Sequence, residues 1–214
     1  MQSVALIDYG SGNLRSAEKA LRRAAEGLGR PVDIVVTADP DVVARADRLV
    51  LPGVGAFAAC MGALSARDGL IAAMTEATLA RGRPFLGICV GMQLLADRGL
   101  EFGETPGLGW IAGDVARLAP TDPAAKIPHM GWNALEDLAD QPLLAGLGEG
   151  AHMYFTHSFA FTPADPSQVI ASVDHGGRFA AAVARNNIMG VQFHPEKSQT
   201  QGLRLLANFL ETPA

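Results

Sequence analysis

The sequence has little of what marks several large function classes. Of its 214 residues only 18% are charged, and Lys+Arg 17 against Asp+Glu 22 leaves a net charge of −5 without any basic run. That balance argues against electrostatic binding of nucleic acid or of an anionic membrane. Two cysteines, Cys60 and Cys89, allow at most one disulfide, and a chain 49% hydrophobic does not need one to hold its core. The expectation is two reduced thiols in a cytoplasmic protein. Long apolar runs are also missing: Leu49 to Ala66 is uncharged, but Pro52, Gly53, Gly55 and Gly62 would break a spanning helix. The N-terminus has no basic region and reaches Asp8 after four apolar residues, so it reads as a strand and not as a signal peptide. No repeat, low-complexity tract or linker divides the chain, and its length suits one domain, residues 1–214. The histidines are too scattered, and the cysteines too far apart, for a zinc site.

What is there is an alternation of strand and helix. Val4 to Ile7, Ile34 to Val36, Leu49 to Leu51 and Phe85 to Ile88 are short, wholly apolar strands. Helical patterns separate them: Leu14 to Leu28 (with Ser11 and Asn13 as candidate caps and Gly29 as a stop), Asp41 to Ala46, Leu70 to Leu79 and Gly91 to Asp97. Such strands belong to a parallel sheet covered on both faces. After about residue 105 the pattern becomes Trp110 to Leu118, His152 to Phe161, Val169 to Val173, Phe179 to Arg185 and Ile188 to Phe193, strands joined by turns. These are expected to form an antiparallel or mixed extension of the same core, closed by a helix from Gln201 to Leu210.

Gly87-Ile88-Cys89-Val90-Gly91 stands between an apolar strand and a helix. A glycine, a nucleophile and a second glycine at such a junction make a turn so tight that flanking side chains do not fit, and the turn pushes the nucleophile out of the sheet. The Val90 N–H and the helix start then face a thiolate or an oxyanion. A lone cysteine would read as a buried structural residue; the five-residue pattern reverses that preference. A nucleophilic thiol needs a base, and the base an orienting group. Among five histidines, His194 follows the strand Val191-Gln192-Phe193, and Pro195 ends that strand at once. This leaves His194 and Glu196 at the carboxyl edge of the sheet, where open α/β sheets place their sites. Two residues apart in an extended segment, they project to the same side. Gly10-Ser11-Gly12-Asn13-Leu14-Arg15 imitates a dinucleotide loop but has Arg15 in place of the third glycine, and no acid ends the second strand.

Leu51 to Phe57, Gly87 to Leu95 and Phe193-His194-Pro195-Glu196 occur in the order and spacing of the class I (triad) glutamine amidotransferases, which the chain resembles over essentially its whole length. Asp8 to Leu14, Pro128-His129-Met130-Gly131-Trp132-Asn133, Tyr154-Phe155-Thr156-His157-Ser158 and Lys197-Ser198 are similar, more narrowly, to the glutaminase subunits of imidazole glycerol phosphate synthase. The resemblance implies an α/β fold of flavodoxin-like type, a mixed sheet with helices on both faces and a nucleophile elbow. It implies Cys89 as nucleophile on the glutamine amide, His194 as the acid and base, and Glu196 as its orienting group, with no cofactor. It further implies an oxyanion hole from Val54, Gly55 and Val90, with the Val54 N–H joining that of Val90, and substrate contacts at Gln93, Glu101 (to the ammonium) and the backbone of Ser158 and Phe159 (to the α-carboxylate). Phe159 and Thr156 stand where many relatives have Tyr and Val.

The family passes its ammonia to a (β/α)₈-barrel cyclase in histidine biosynthesis. The 214 residues leave no room for roughly 250 more, so that barrel is expected as a separate chain in a heterodimer, faced by Asn13, Trp132, Tyr154 and Lys197. Such glutaminases are typically weak until the partner's nucleotide substrate binds. The rival readings are the glutaminase subunit of anthranilate or aminodeoxychorismate synthase, against which Lys197-Ser198 and Pro128 to Asn133 speak, and a non-catalytic flavodoxin-like module holding a phosphate at Gly10 to Asn13.

Overall fold

The structure is a computed structural model that describes residues 1–29 and 31–213. Its centre is a seven-stranded mixed sheet. Five of these strands are parallel: β1 (Gln2–Ile7), β2 (Val32–Thr37), β3 (Arg48–Gly53), β4 (Phe85–Cys89) and β13 (Ile188–Val191). β3, β4 and β13 are buried at every position, which is why their sequences run apolar without alternation. β12 (Arg178–Arg185) and β11 (Val169–Asp174) add an antiparallel edge, so the strand order across the sheet is β11-β12-β13-β4-β3-β1-β2.

Helix α1 (Leu14–Gly27) buries Ala17, Ala20, Leu21, Ala24 and Ala25, the spacing read from the sequence, and packs against α6 (Gln199–Glu211). α2 (Pro40–Arg45) is capped by the Asp39 carboxylate, which accepts from the Asp41 N–H. Neither candidate cap of α1 acts as one: Asn13 occupies the cap position without a side-chain bond, and the Ser11 hydroxyl is bonded to Val54 instead. α3 (Phe57–Ser65) precedes α4 (Leu70–Thr75), whose sequence pattern predicts one helix as far as Leu79. The last turn, Glu76–Ala80, widens into a π-helix. Among the described residues no single helix is long and apolar enough to cross a membrane, and the apolar pair 57–65 and 70–80 bends by 97° at its break.

Two expectations are corrected. The segment Gly91 to Asp97 is not a full helix: α5 (Val90–Gln93) lasts one turn, and the chain then folds back through turns so that the N–H of Leu108 meets Leu94 O and that of Trp110 meets Leu95 O. Nor is the second half one extension of the central sheet. β5 (Arg98–Gly99), β6 (Thr105–Pro106), β7 (Gly113–Arg117) and β10 (Phe159–Pro163) form a separate four-stranded sheet. β8 (His129–Ala134) and β9 (His152–His157) pair as a two-stranded ribbon. The run from His152 to Phe161 is therefore broken at Ser158, where the chain passes from the ribbon to the four-stranded sheet.

Candidate active site

The topology brings the ends of three neighbouring strands together. Gly53 at the end of β3 is in register with Cys89 at the end of β4, and β13, on the other side of β4, leads directly to His194. Cys89 adopts φ 56°, ψ −113°, a conformation costly for a side-chain-bearing residue, of order 1–3 kcal/mol, and held only because the surroundings dictate it. The flanking glycines are obligatory for contact reasons. A Cβ on Gly91 would lie on the Leu51 carbonyl, and one on Gly87 would lie against the Gly91 carbonyl. The turn is thus the expected elbow. Cys89 opens on a pocket of about 360 Å³ that is also lined by Val54, Gly55, Val90, Gln93, Glu101, Ser158, Phe159 and His194. Every catalytic, oxyanion and substrate residue taken from the sequence lines it except Glu196, which stands behind His194.

His194 is 2% exposed and its Nδ1 lies 2.8 Å from Glu196 Oε1, whose side chain is buried as well. The 3₁₀ turn Pro195–Lys197 folds Glu196 back under the ring. Burial works against a charge on His194, but hydrogen bonding to Cys89 and Glu196, together with their negative charges, outweighs it and lifts the pKa to about 9. His194 Nε2 is buried and makes no hydrogen bond of ordinary geometry among the described residues, so the Cys89 influence on the ring is exerted at longer range than that of Glu196. The Ser198 hydroxyl donates to His194 O at 2.6 Å and accepts from the Tyr154 N–H at 3.0 Å, while the His194 N–H donates to Tyr154 O. His194 is therefore anchored to β9 through its backbone.

The oxyanion side differs from expectation. The Val54 N–H, expected beside that of Val90, donates instead to Ser11 Oγ at 3.3 Å. The Val54 carbonyl takes both the Ser11 hydroxyl (2.8 Å) and the Cys60 thiol (3.3 Å). Both backbone polar groups of Val54 are thus tied to Ser11 in the first loop, and its N–H is already spent there. Val54 is 43% exposed and Gly55, at φ +97°, has open space around it, so the loop has room to turn. Beneath it lies Tyr9, whose hydroxyl touches the position a Gly53 Cβ would take. Burial and then the neighbouring Cys60 push the Tyr9 pKa far above its ordinary value.

Gln93 is buried and its amide donates to Phe159 O (3.0 Å) and Gln192 Oε1 (2.9 Å); Gln192 Nε2 in turn lies 3.7 Å from Cys89 Sγ. Glu101 accepts from the Phe57 N–H at 2.8 Å, which fixes its carboxylate at the start of α3 while it lines the pocket. The Leu118 N–H donates to Ser158 O, so in the antiparallel register of β7 with β10 the next pair, Phe159 and Arg117, is a non-hydrogen-bonded one. The Phe159 N–H and C=O therefore point away from β7, and the carbonyl meets Gln93. Trp132 and Tyr154 are opposite each other on the β8–β9 ribbon, ring centroids 6.0 Å apart, with Lys197 Nζ 5.5 Å from the Tyr154 ring. Asn13 is half-buried in the loop that carries Ser11.

Reading the sequence missed Ser11, Gln192 and Tyr9 as site residues. Ser11 sits in a glycine-rich loop that could have pointed to it; Gln192, a polar residue inside an apolar strand end, is the clearest signal overlooked.

The chain is similar to known proteins throughout. The family model for glutamine amidotransferase class-I matches residues 5–212. A Caulobacter vibrioides protein described as imidazole glycerol phosphate synthase subunit HisH is 64% identical over 211 residues, 99% of each chain, and its Rhodospirillum rubrum counterpart is 62% identical over 208 residues, 97% of each. Among solved structures, a glutamine amidotransferase superposes with TM-score 0.70 at 22% identity over 97% of each chain. A glutamine amidotransferase from Thermotoga maritima gives 0.64 at 17%, over 98% of this chain and 96% of the other.

Proposed function

Because the chain belongs to the class I glutamine amidotransferases, we propose that Cys89, His194 and Glu196 hydrolyse glutamine and that the ammonia passes to a separate (β/α)₈-barrel cyclase chain. The chain is a glutaminase of the imidazole glycerol phosphate synthase type, acting in histidine biosynthesis. The observation that carries the site assignment is the convergence of Cys89, the paired His194–Glu196 and the Val54 loop at three adjacent strand ends around one pocket. The Cys89 sulfur, its proton held by His194, attacks the side-chain amide carbon. The C–N bond breaks as His194 gives the nitrogen its proton, and ammonia leaves. Water, deprotonated by His194, then cleaves the thioester to glutamate and restores the thiol.

Gln93 and Glu101 hold the substrate, the latter facing its ammonium, and the backbone at Ser158 and Phe159 takes its α-carboxylate. The Val90 N–H is one oxyanion donor; the other, from Val54, becomes available only when its peptide leaves Ser11. A site missing one such donor loses on the order of 10²–10³ in turnover, which makes the observed state a slow one. The exposed Trp132, with Tyr154, Lys197 and Asn13, faces the cyclase. Tyr154 is bonded through its backbone to His194 and Ser198, so contact there reaches the triad directly.

The test is a glutaminase assay of the chain alone, with the barrel cyclase, and with the cyclase plus its nucleotide substrate. Activity is expected to rise at each step. In Ser11→Ala, which removes the hydroxyl holding both ends of Val54, the unstimulated rate is expected to increase several-fold, the worth of one hydrogen bond of about 1 kcal/mol, and the stimulation to shrink accordingly. Equal rates in all three mixtures would contradict the assignment of a partner.

A further inference from the structure

A chain of hydrogen bonds runs from the β8–β9 ribbon to the nucleophile through two buried histidines to which the mechanism gives no role. Asn133, beside Trp132, places its amide nitrogen 3.2 Å from His129 Nε2 and 2.7 Å from Asp174 O, while its own oxygen accepts from the Ala134 N–H. His129 Nδ1 lies 3.0 Å from His157 Nε2, and His157 Nδ1 lies 2.9 Å from Phe159 O. Phe159 O is the same atom that receives the Gln93 amide, which is tied through Gln192 to Cys89.

The proton positions follow from the ends. A carbonyl only accepts, so His157 carries its proton on Nδ1 and presents Nε2 as an acceptor. His129 must then carry its proton on Nδ1, and its Nε2 accepts from Asn133. Every ring nitrogen is used, and only with both rings neutral. An extra proton on His157 Nε2 would set two N–H groups against each other.

We propose that His129 and His157 are positioning residues for glutamine, an uncharged pair that fixes the Phe159 carbonyl and with it the carboxylate-binding edge at Ser158–Phe159. This rests on the assignment of that edge to the substrate made above. The surroundings favour neutrality from every side. Phe155 and the His175 ring stack nearly parallel to His129, at 4.7 and 4.1 Å between centroids, and His175 spends its Nε2 proton on Lys126 O. The cationic form of His194 faces His157 from the far side, and the Asp174 carboxylate is turned to the Gly177 N–H. Burial first, then the other imidazoles, lowers the pKa of His129 to about 3; burial, with His175 and His194 and against the bond to Phe159, lowers that of His157 to about 4. With all four ring nitrogens committed, the pair is built for orientation and not for metal binding.

The experiment measures glutamine KM, kcat and the pH profile of kcat/KM in the complex with the cyclase. His129→Leu keeps an apolar body between Phe155 and His175 but removes the donor to His157. It is expected to raise KM about tenfold with kcat within about threefold, the effect of one lost buried donor. It also frees His157 Nε2 to take a proton, so the acid limb of kcat/KM moves upward by about one pH unit. His129→Asn, whose amide nitrogen occupies the place of ring Nδ1, is expected to restore both. Equal KM values and pH profiles for wild type and His129→Leu, or an Asn variant no better than the Leu one, would overturn the proposal. Wild-type turnover of L-glutaminamide separates its failure from that of the edge assignment. If this substrate without an α-carboxylate is used as well as glutamine, the edge assignment falls and the proposal with it. If it is rejected while His129→Leu is silent, only the histidine pair is overturned.

Discussion

Replacing Cys89 by Ala is expected to abolish glutamine-driven synthesis, by up to about 10⁶-fold as when a nucleophile is removed from a preformed triad, while leaving ammonia-driven synthesis by the complex at its wild-type rate. The structure gives both halves of this result. Cys89 supplies the sulfur that lines the pocket beside His194, and nothing else there can form the thioester. Its backbone geometry is set by the Gly87 and Gly91 contacts and by the β3–β4 register and not by its side chain, so alanine at φ 56° inherits the same turn. Trp132 and Tyr154, the proposed docking face, are untouched, so the complex is expected to keep using ammonia supplied in solution. Cys60→Ala is the internal control: its thiol is bonded to the Val54 carbonyl and the Ser11 hydroxyl, and its loss leaves the nucleophile in place.

The second large effect is that of Glu196→Gln, for which turnover is expected to drop by roughly 10²–10⁴-fold. The amide fills the same buried space, but it lacks the charge that supports the imidazolium and can offer His194 Nδ1 an N–H where an acceptor is needed. The pH dependence follows the same cause. The His194 pKa of about 9 lies above the ordinary histidine value of 6.5, so the folded state prefers the protonated ring. The stabilisation is fully present below about 6.5 and is lost as pH rises through about 9. Activity follows, because above that pH the ring lacks the proton that ammonia must take. In wild type the alkaline limb of kcat/KM, which reports the free enzyme, is expected near pH 9; in Glu196→Gln, with one of the two negative partners gone, it moves toward neutrality. A pH titration of both forms measures the difference.

The meeting of Cys89 with His194 and Glu196, the proposed triad, was legible in the sequence because each of these residues is constrained locally. The elbow needs Gly87 and Gly91 whatever surrounds it, and Pro195 ends the strand that delivers His194 with Glu196 two residues on. The central strands were legible because residues buried on both faces leave no polar alternation. What stayed hidden depends on residues far apart in the chain. The Val54 peptide is held by Ser11 and Cys60, and no pattern within the loop itself announces that tie. His129 and His157 meet only because β8 and β9 pair in the register that sets them opposite each other. The break at Ser158 was invisible because the alternation of apolar residues continues through it into a different sheet. Gly91 to Asp97 kept a helical composition although only its first turn is helical; the segment after Gln93 is claimed instead by bonds from Leu108 and Trp110.

The central claim is that the two thiols have different fates, Cys89 as the nucleophile of the pocket and Cys60 as a buried partner of the Val54 carbonyl. Peptide mass analysis after a brief exposure to iodoacetamide, with and without glutamine, tests it most directly. The account predicts rapid alkylation of Cys89, suppressed by glutamine, with Cys60 unmodified on the same timescale. Preferential labelling of Cys60, or labelling of Cys89 that is no faster than a model thiol and indifferent to glutamine, would contradict it.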